Sequence, residues 1–264
     1  MRLQWVLFDL LSSVLPKVAL RSRYLQYRGS LTVYLVMRLM AKLYKAFFVM
    51  CDSIVVPTIW GATFLLPKDH SFAENRYLTL MSALVEPQWR DYFDQYIVKS
   101  RCFLDIGAAS DGYYTIRACK LNPRIKVIAV EPLPTEYRYL LLNISLNSCS
   151  DRVIPFNAAL GKEQGIIELS KQKVRCLTLD SLLQNLEVPS VNIIKIDVEG
   201  AGAEIIKGGL KTIHSYKPII FFEVHNTPEK QIIRELRGMG YKVIERYGDM
   251  HILLPFNPES CRVA

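Results

Sequence analysis

The sequence has no C-x-x-C pair. Its six cysteines stand apart at 51, 102, 119, 149, 176 and 261. That spacing argues against a zinc ribbon, a dithiol redox motif and a disulfide framework, and points to reduced thiols in an intracellular protein. A long uninterrupted apolar run is also missing. "LQWVLFDLLSSVLP" at residues 3–16 is broken by Asp9. It falls short of the roughly 20 apolar residues that cross a bilayer, and it lacks the small-residue cleavage site of a secretory signal. Internal repeats and low-complexity segments are absent.

Half of the 264 residues are hydrophobic and 22% are charged, enough apolar material for a packed core. The net charge of +8 is uneven: residues 1–60 hold eight Lys/Arg against two Asp. Within that basic segment, "SLTVYLVMRLMAKLYKAFFVM" at residues 30–50 sets Arg38, Lys42 and Lys45 at near-helical spacing beside an apolar face. Two uses fit this pattern: peripheral contact with an acidic membrane surface, or packing on the body or on a second copy of the chain. Residues 1–50 read as two or three helices, and residues 53–67 as short strands broken by Pro57 and Gly61. A helical stretch follows over 72–99.

Beyond residue 100 the pattern becomes regular. Strand-length apolar runs at 102–106, 126–130, 152–156, 191–196, 218–224, 241–245 and 250–254 alternate mostly with helical stretches at 113–121, 135–146, 178–186, 202–213 and 228–238. Near-continuous apolar strands between helices imply a parallel sheet covered on both faces. The last two runs are joined only by "RYGD", too short for a parallel crossover, so the final strand is expected to run antiparallel.

In such a sheet, ligands bind beyond the carboxyl ends of the strands. The first core strand leads into "FLDIGAASDGYYT", where Asp105 precedes Gly107 and Ala108, and Asp111 precedes Gly112. Gly107, Ala109 and Gly112 match a G-x-G/A-x-x-G spacing, which by itself fits a dinucleotide. Charge separates the candidates. Asp105 and Asp111 would repel a pyrophosphate drawn to a helix start, whereas S-adenosylmethionine carries a sulfonium and an ammonium that carboxylates attract. Glu131, ending "KVIAVEPLP", stands where an acid accepts hydrogen bonds from ribose hydroxyls of either cofactor. Small residues in "FNAALG", with Asn157 and Ala158, leave room for adenine.

The fourth strand emerges at Asp197 and Glu199 of "IIKIDVEG". The fifth ends in "FFEVHN", where alternation puts Glu223 and His225 on one side. Of the four histidines, only His225 follows a core strand at the ligand edge. Imidazole is the side chain suited to removing a hydroxyl proton near neutral pH.

Taken together, "FLDIGAASDGYYT", "VIAVEPLPTEYRYLLLNISLN", "NAALG", "IIKIDVEGAGAEIIKGG" and "KPIIFFEVH" resemble the FkbM family of S-adenosylmethionine-dependent methyltransferases over roughly residues 77–255. The resemblance implies the class I, Rossmann-like fold: a seven-stranded, mostly parallel sheet with an antiparallel last strand. A methyltransferase domain at 71–264 would follow a helical extension at 1–70. It further implies S-adenosyl-L-methionine as cofactor, bound by Asp105, Gly107, Ala108, Asp111, Gly112, Glu131, Pro132, Asn157, Ala158 and Asp197. His225, Asp197 and Glu199 are the implied catalytic set. The expected acceptor is a hydroxyl on a small molecule, glycan or lipid-linked molecule. Gly202 stands where the family commonly has Glu, and no metal is expected. Two other readings stay open: an NAD(P)-dependent oxidoreductase, and a catalytically silent binding or membrane-attached protein of this fold. Nucleic acid is disfavoured, because the strand tip reads I-D-V-E-G rather than the N/D-P-P-Y/F type, and the positive charge lies outside the catalytic body. The expected location is cytoplasmic, with membrane association as the alternative.

Overall fold

A computed structural model describes residues 53–58, 60–67, 80, 85–184, 186 and 190–256. The basic segment at 1–50, with its proposed membrane or oligomer contacts, lies outside the described residues. The chain divides into two compact units, residues 1–90 with 145–147, and residues 91–144 with 148–264. No helix among the described residues is long and apolar enough to cross a membrane.

In the first unit, β1 (Ser53–Pro57) and β2 (Thr63–Pro67) form an antiparallel pair in which Val56 faces Phe64. Pro57 and Gly61, read as breakers, bracket the turn. It closes through Ala62 N–H donating to the Thr58 hydroxyl at 3.0 Å, with Gly61 at φ +80°.

The second unit carries the main sheet. In chain order the remaining elements are α1 (Pro87–Ile97, which begins in the first unit), β3 (Cys102–Ile106), α2 (Tyr113–Leu121), β4 (Lys126–Val130), α3 (Pro134–Leu146) and β5 (Val153–Phe156). Then come β6 (Ala159–Leu160), β7 (Gly165–Leu169), β8 (Gln172–Leu177), α4 (Leu179–Gln184), β9 (Ile193–Ile196) and α5 (Gly202–Lys207). The last are α6 (Leu210–Tyr216), β10 (Ile219–Glu223), α7 (Thr227–Gly238), β11 (Tyr241–Tyr247) and β12 (Met250–Pro255). Seven strands pair in the order β11-β12-β10-β9-β3-β4-β5. β12 runs antiparallel to both neighbours, β10 and β11, as the short "RYGD" connection required. The strand order reverses at β3, which lies between β9 and β4.

The two faces of this sheet differ chemically. Alternation sends Leu104, Ile106, Ile194, Ile196, Ile220 and Phe222 into one aliphatic core, which the apolar residues of α4, α5, α6 and α7 join. The opposite face carries Phe103 and Phe221. Phe93 of α1 packs edge-on against both, at 5.1 and 5.9 Å between ring centroids, and against Tyr114 of α2 at 4.9 Å. On this aromatic face Lys195 is in register with Asp105 on one side and Phe221 on the other. A three-stranded sheet, β6-β8-β7, follows β5. The sequence reading has no counterpart for it. The helix expected over 202–213 is two helices, split where Gly208 and Gly209 pack so closely on Gly161 and Leu179 that no side chain fits.

Candidate active site

The tips of β3, β4, β9 and β10 carry the residues singled out from the sequence. Asp105, only 1% exposed, lies within β3 rather than at its surface. Its Oδ2 accepts from the Thr115 hydroxyl at 2.7 Å. Its Oδ1 has no hydrogen-bond partner, and the Lys195 ammonium stands 3.8 Å away. Burial pushes the Asp105 carboxyl above the usual range, and Lys195 and Thr115 oppose that shift. Lys195 is itself buried, bonds Asp197 Oδ2 at 2.8 Å, and lies over the Tyr114 ring at 5.4 Å. Sequence reasoning missed this lysine. Its signal was a single cation inside the otherwise apolar run "IIKI".

The turn after β3 is tightly built. The N–H groups of Gly107 and Ala108 both donate to Val130 O, at 3.0 and 3.1 Å. Gly107 adopts φ +79°, and a Cβ there would fall 2.0 Å from the Asp197 carbonyl oxygen. The exit of β9 therefore rests directly on this glycine. Ala109 and Gly112 also adopt left-handed backbone, each with φ +58°. Asp111 is buried, and its Oδ1 accepts from Tyr113 N–H at 2.9 Å, so a carboxylate already occupies a donor at the start of α2. An incoming phosphate would meet that negative charge. This favours a cationic ligand over a pyrophosphate.

Glu131, 6% exposed, begins the β4–α3 turn. Oε2 accepts from Ala109 N–H at 3.1 Å, and Oε1 accepts from Leu133 N–H at 2.9 Å. Burial lifts its pKa to about 7, against the pull of those two donors. The Asn157 amide donates to the carbonyls of Glu131 and Pro132, both at 2.9 Å. It thus braces the turn behind Glu131, while Ala158 is buried in the aliphatic core.

At the other side of β3, Asp197, Glu223 and His225 converge. His225 Nε2 lies 3.3 Å from Glu223 Oε2, with Val224 buried between them as strand alternation requires. One ligand atom from each of the three residues falls within 4.8 Å of the others, a spacing that also suits one divalent cation. Glu199 is exposed on the loop after β9 and is not among the three brought together. Glu204 is also exposed, paired with Lys207 on α5 at 2.8 Å.

The Methyltransferase FkbM domain family matches residues 105–243. Hexuronic acid methyltransferase AglP from Haloferax volcanii is 28% identical over 128 residues, covering 41% of this chain and 51% of AglP. The match thus spans about half the length of that curated relative. Among solved structures, methyltransferase FkbM from Methylobacillus flagellatus is similar with a TM-score of 0.50 and 14% identity, over 70% of this chain and 55% of that one. The METTL16 methyltransferase domain is similar with a TM-score of 0.50 and 14% identity, over 76% and 85%. These two likenesses concern the fold alone. The family match spans more than half of the chain and contains every strand tip described above: the chain belongs to the FkbM methyltransferase family.

Proposed function

We propose that this chain transfers a methyl group from S-adenosyl-L-methionine to a hydroxyl of a carbohydrate acceptor, whether a free sugar, a glycan or a lipid-linked sugar. The observation that carries this reading is the convergence of Asp197, Glu223 and His225 at the strand tips that also carry the carboxyl groups of Asp105, Asp111 and Glu131. The carbohydrate part is supported by the relative named a hexuronic acid methyltransferase.

The residues present fit the cofactor. Glu131 accepts one backbone N–H at each oxygen, and a carboxylate has lone pairs left for two ribose hydroxyls. The Gly107–Ala109 turn and Pro132 shape the backbone around it. Asp111 and Gly112 hold that turn on α2, and Asn157 fixes the carbonyls behind Glu131. Asp197, held by Lys195, would receive the cofactor's ammonium.

When bound, the cofactor supplies a methyl group already activated by its sulfonium. The protein's task is then alignment and removal of one proton. His225, whose Nε2 lies 3.3 Å from Glu223 Oε2, would accept the acceptor's hydroxyl proton on its other ring nitrogen, Nδ1, while the bound cofactor supplied the methyl group. Exposed Glu199 is offered to further hydroxyls of the acceptor.

The test is incubation with methyl-labelled cofactor and a panel of uronic-acid and neutral-sugar acceptors, with mass spectrometry and NMR locating the label. A methyl ether on a sugar oxygen is expected, and His225→Ala is expected to lower kcat by about a hundred-fold or more with cofactor affinity kept. Cofactor binding with transfer to none of these acceptors would turn the reading towards a silent binding protein.

A further inference from the structure

Glu229 has no role in the reading above, yet its surroundings are unusual. It lies in the first turn of α7, is fully buried, and accepts three backbone N–H groups from two different loops. Oε1 accepts from Gly202 at 2.9 Å; Oε2 accepts from His225 at 2.6 Å and from Asn226 at 3.2 Å. The Asn226 bond is half of a reciprocal capping box, since Asn226 Oδ1 accepts from Glu229 N–H at 2.9 Å. The other two bonds exceed what a helix cap requires. One reaches the β10–α7 loop at the backbone of His225. The other reaches the first residue of α5, at the end of the loop that carries Asp197 and Glu199.

A second strap joins the same two loops. The Asn226 amide donates to Gly200 O at 3.0 Å. Gly200 adopts φ +80°, which lets its carbonyl turn toward that amide. Gly202 completes the arrangement. A Cβ there would fall 2.3 Å from the Phe222 ring and 2.9 Å from Glu229 Oε1, so only glycine admits the buried carboxylate. Where the family pattern commonly has a glutamate, this chain has a glycine, with a carboxylate from α7 pressed against it.

We infer that Glu229 is the positioning residue of the active site: it locks the two loops in one register and thereby sets the His225 imidazole against Glu223 and opposite Asp197. This rests on the proposed role of His225 and adds to it. The backbone of His225 is held at 2.6 Å by a buried anion, so the ring pivots from a fixed point. Displacement of reacting groups by about 1 Å can cost about a hundred-fold in rate, which is why a buried carboxylate that touches no substrate can govern turnover.

Two variants test this. Glu229→Gln keeps the volume but offers one acceptor oxygen in place of two. Asn226→Ser keeps the helix cap and removes only the strap to Gly200. In both, kcat should fall, by about a hundred-fold in Glu229→Gln and less in Asn226→Ser. The affinity for S-adenosylhomocysteine should fall far less than kcat, because the Glu131 contacts are untouched and only the Asp197 loop is loosened. Long-range proton–nitrogen NMR of the imidazole gives a readout that needs no acceptor. Wild type should show one His225 tautomer with Nε2 protonated, and the variants a mixture. Unchanged imidazole resonances in a folded Glu229→Gln protein would overturn the inference, and so would an unchanged kcat. If no acceptor is methylated even by wild type, the imidazole measurement still decides the role of Glu229, while the reading of His225 as proton acceptor fails separately.

Discussion

Lys195 and Asp105 face each other across adjacent parallel strands, both buried, with the ammonium 3.8 Å from a carboxylate oxygen that has no hydrogen-bond partner. The same ammonium bonds Asp197 at 2.8 Å. One cation thus joins the structural floor of the site to its reactive rim. Removing one member of a buried ionic group leaves uncompensated charge, which typically costs about 3–5 kcal/mol. Lys195→Met should therefore lose about 3 kcal/mol or more in urea denaturation, and adding Asp105→Asn should recover part of it. Additive losses would mean that the two groups do not interact.

Thr115 gives Asp105 its one strong hydrogen bond, at 2.7 Å. Thr115→Val keeps the shape and deletes the donor. A loss of about 1–3 kcal/mol in the same denaturation measurement is expected, the cost of a buried acceptor left unmade. A neutral effect would contradict the account of this face of the sheet.

Glu131 gives the site a pH dependence. Its carboxyl is lifted to about 7, chiefly by burial, so it is neutral below that pH and ionised above it. On the proposed reading, ribose hydroxyls would donate to the ionised form. Affinity for S-adenosylhomocysteine, measured by calorimetry, should weaken by about ten-fold from about pH 8 to about pH 6, and Glu131→Gln should flatten the profile. The contribution of this group to stability has the opposite sign. A folded-state pKa raised above the unfolded one stabilises fully below the ordinary glutamate range, and that benefit is lost as pH rises through about 7. A flat binding profile in wild type would remove Glu131 from the cofactor contacts.

Much of this arrangement was legible in the sequence because it follows short-range rules. "RYGD" admits only a hairpin, and β12 runs antiparallel. Alternation placed Glu223 with His225 on one side of β10, and their side chains meet at 3.3 Å. What escaped depends on long-range partners. Lys195 reads as an interruption in an apolar strand until Asp105 is placed beside it from another strand. Glu229 stands three residues after Asn226, a capping-box spacing visible in the chain, but its bond to Gly202 spans 27 residues. The turn contacts of Asp111 and Asn157, to Tyr113 N–H and to the carbonyls of Glu131 and Pro132, likewise appear only once the chain is folded. β7 escaped because its residues, including Ile166 and Ile167, are largely exposed and lack a buried alternating face.

Gly107 is the position where the β3 turn and the exit of β9 touch. Gly107→Ala would put a methyl 2.0 Å from the Asp197 carbonyl oxygen at φ +79°. Strain of this kind costs about 1–3 kcal/mol and displaces the backbone of Asp197. A lowered urea midpoint together with weakened S-adenosylhomocysteine binding is expected. Wild-type affinity in the variant would contradict the packing described.

Asp197, Glu223 and His225 sit close enough for one cation, so the role of His225 as proton acceptor makes a separate prediction. Methyl transfer in excess EDTA should stay within about two-fold of the untreated rate, because no Lewis acid is required of the site. Activity lost to EDTA and restored by manganese would reassign the three side chains to a metal.

The central claim is that the carboxyl groups gathered at the tips of β3, β4 and β9 take a cationic sulfonium nucleoside. Isothermal calorimetry with S-adenosylmethionine and, separately, with NAD and NADP tests it most directly. Saturable binding of S-adenosylmethionine, weakened in Asp197→Asn, with no heat from either dinucleotide is the predicted result; binding of a dinucleotide in its place would contradict the account.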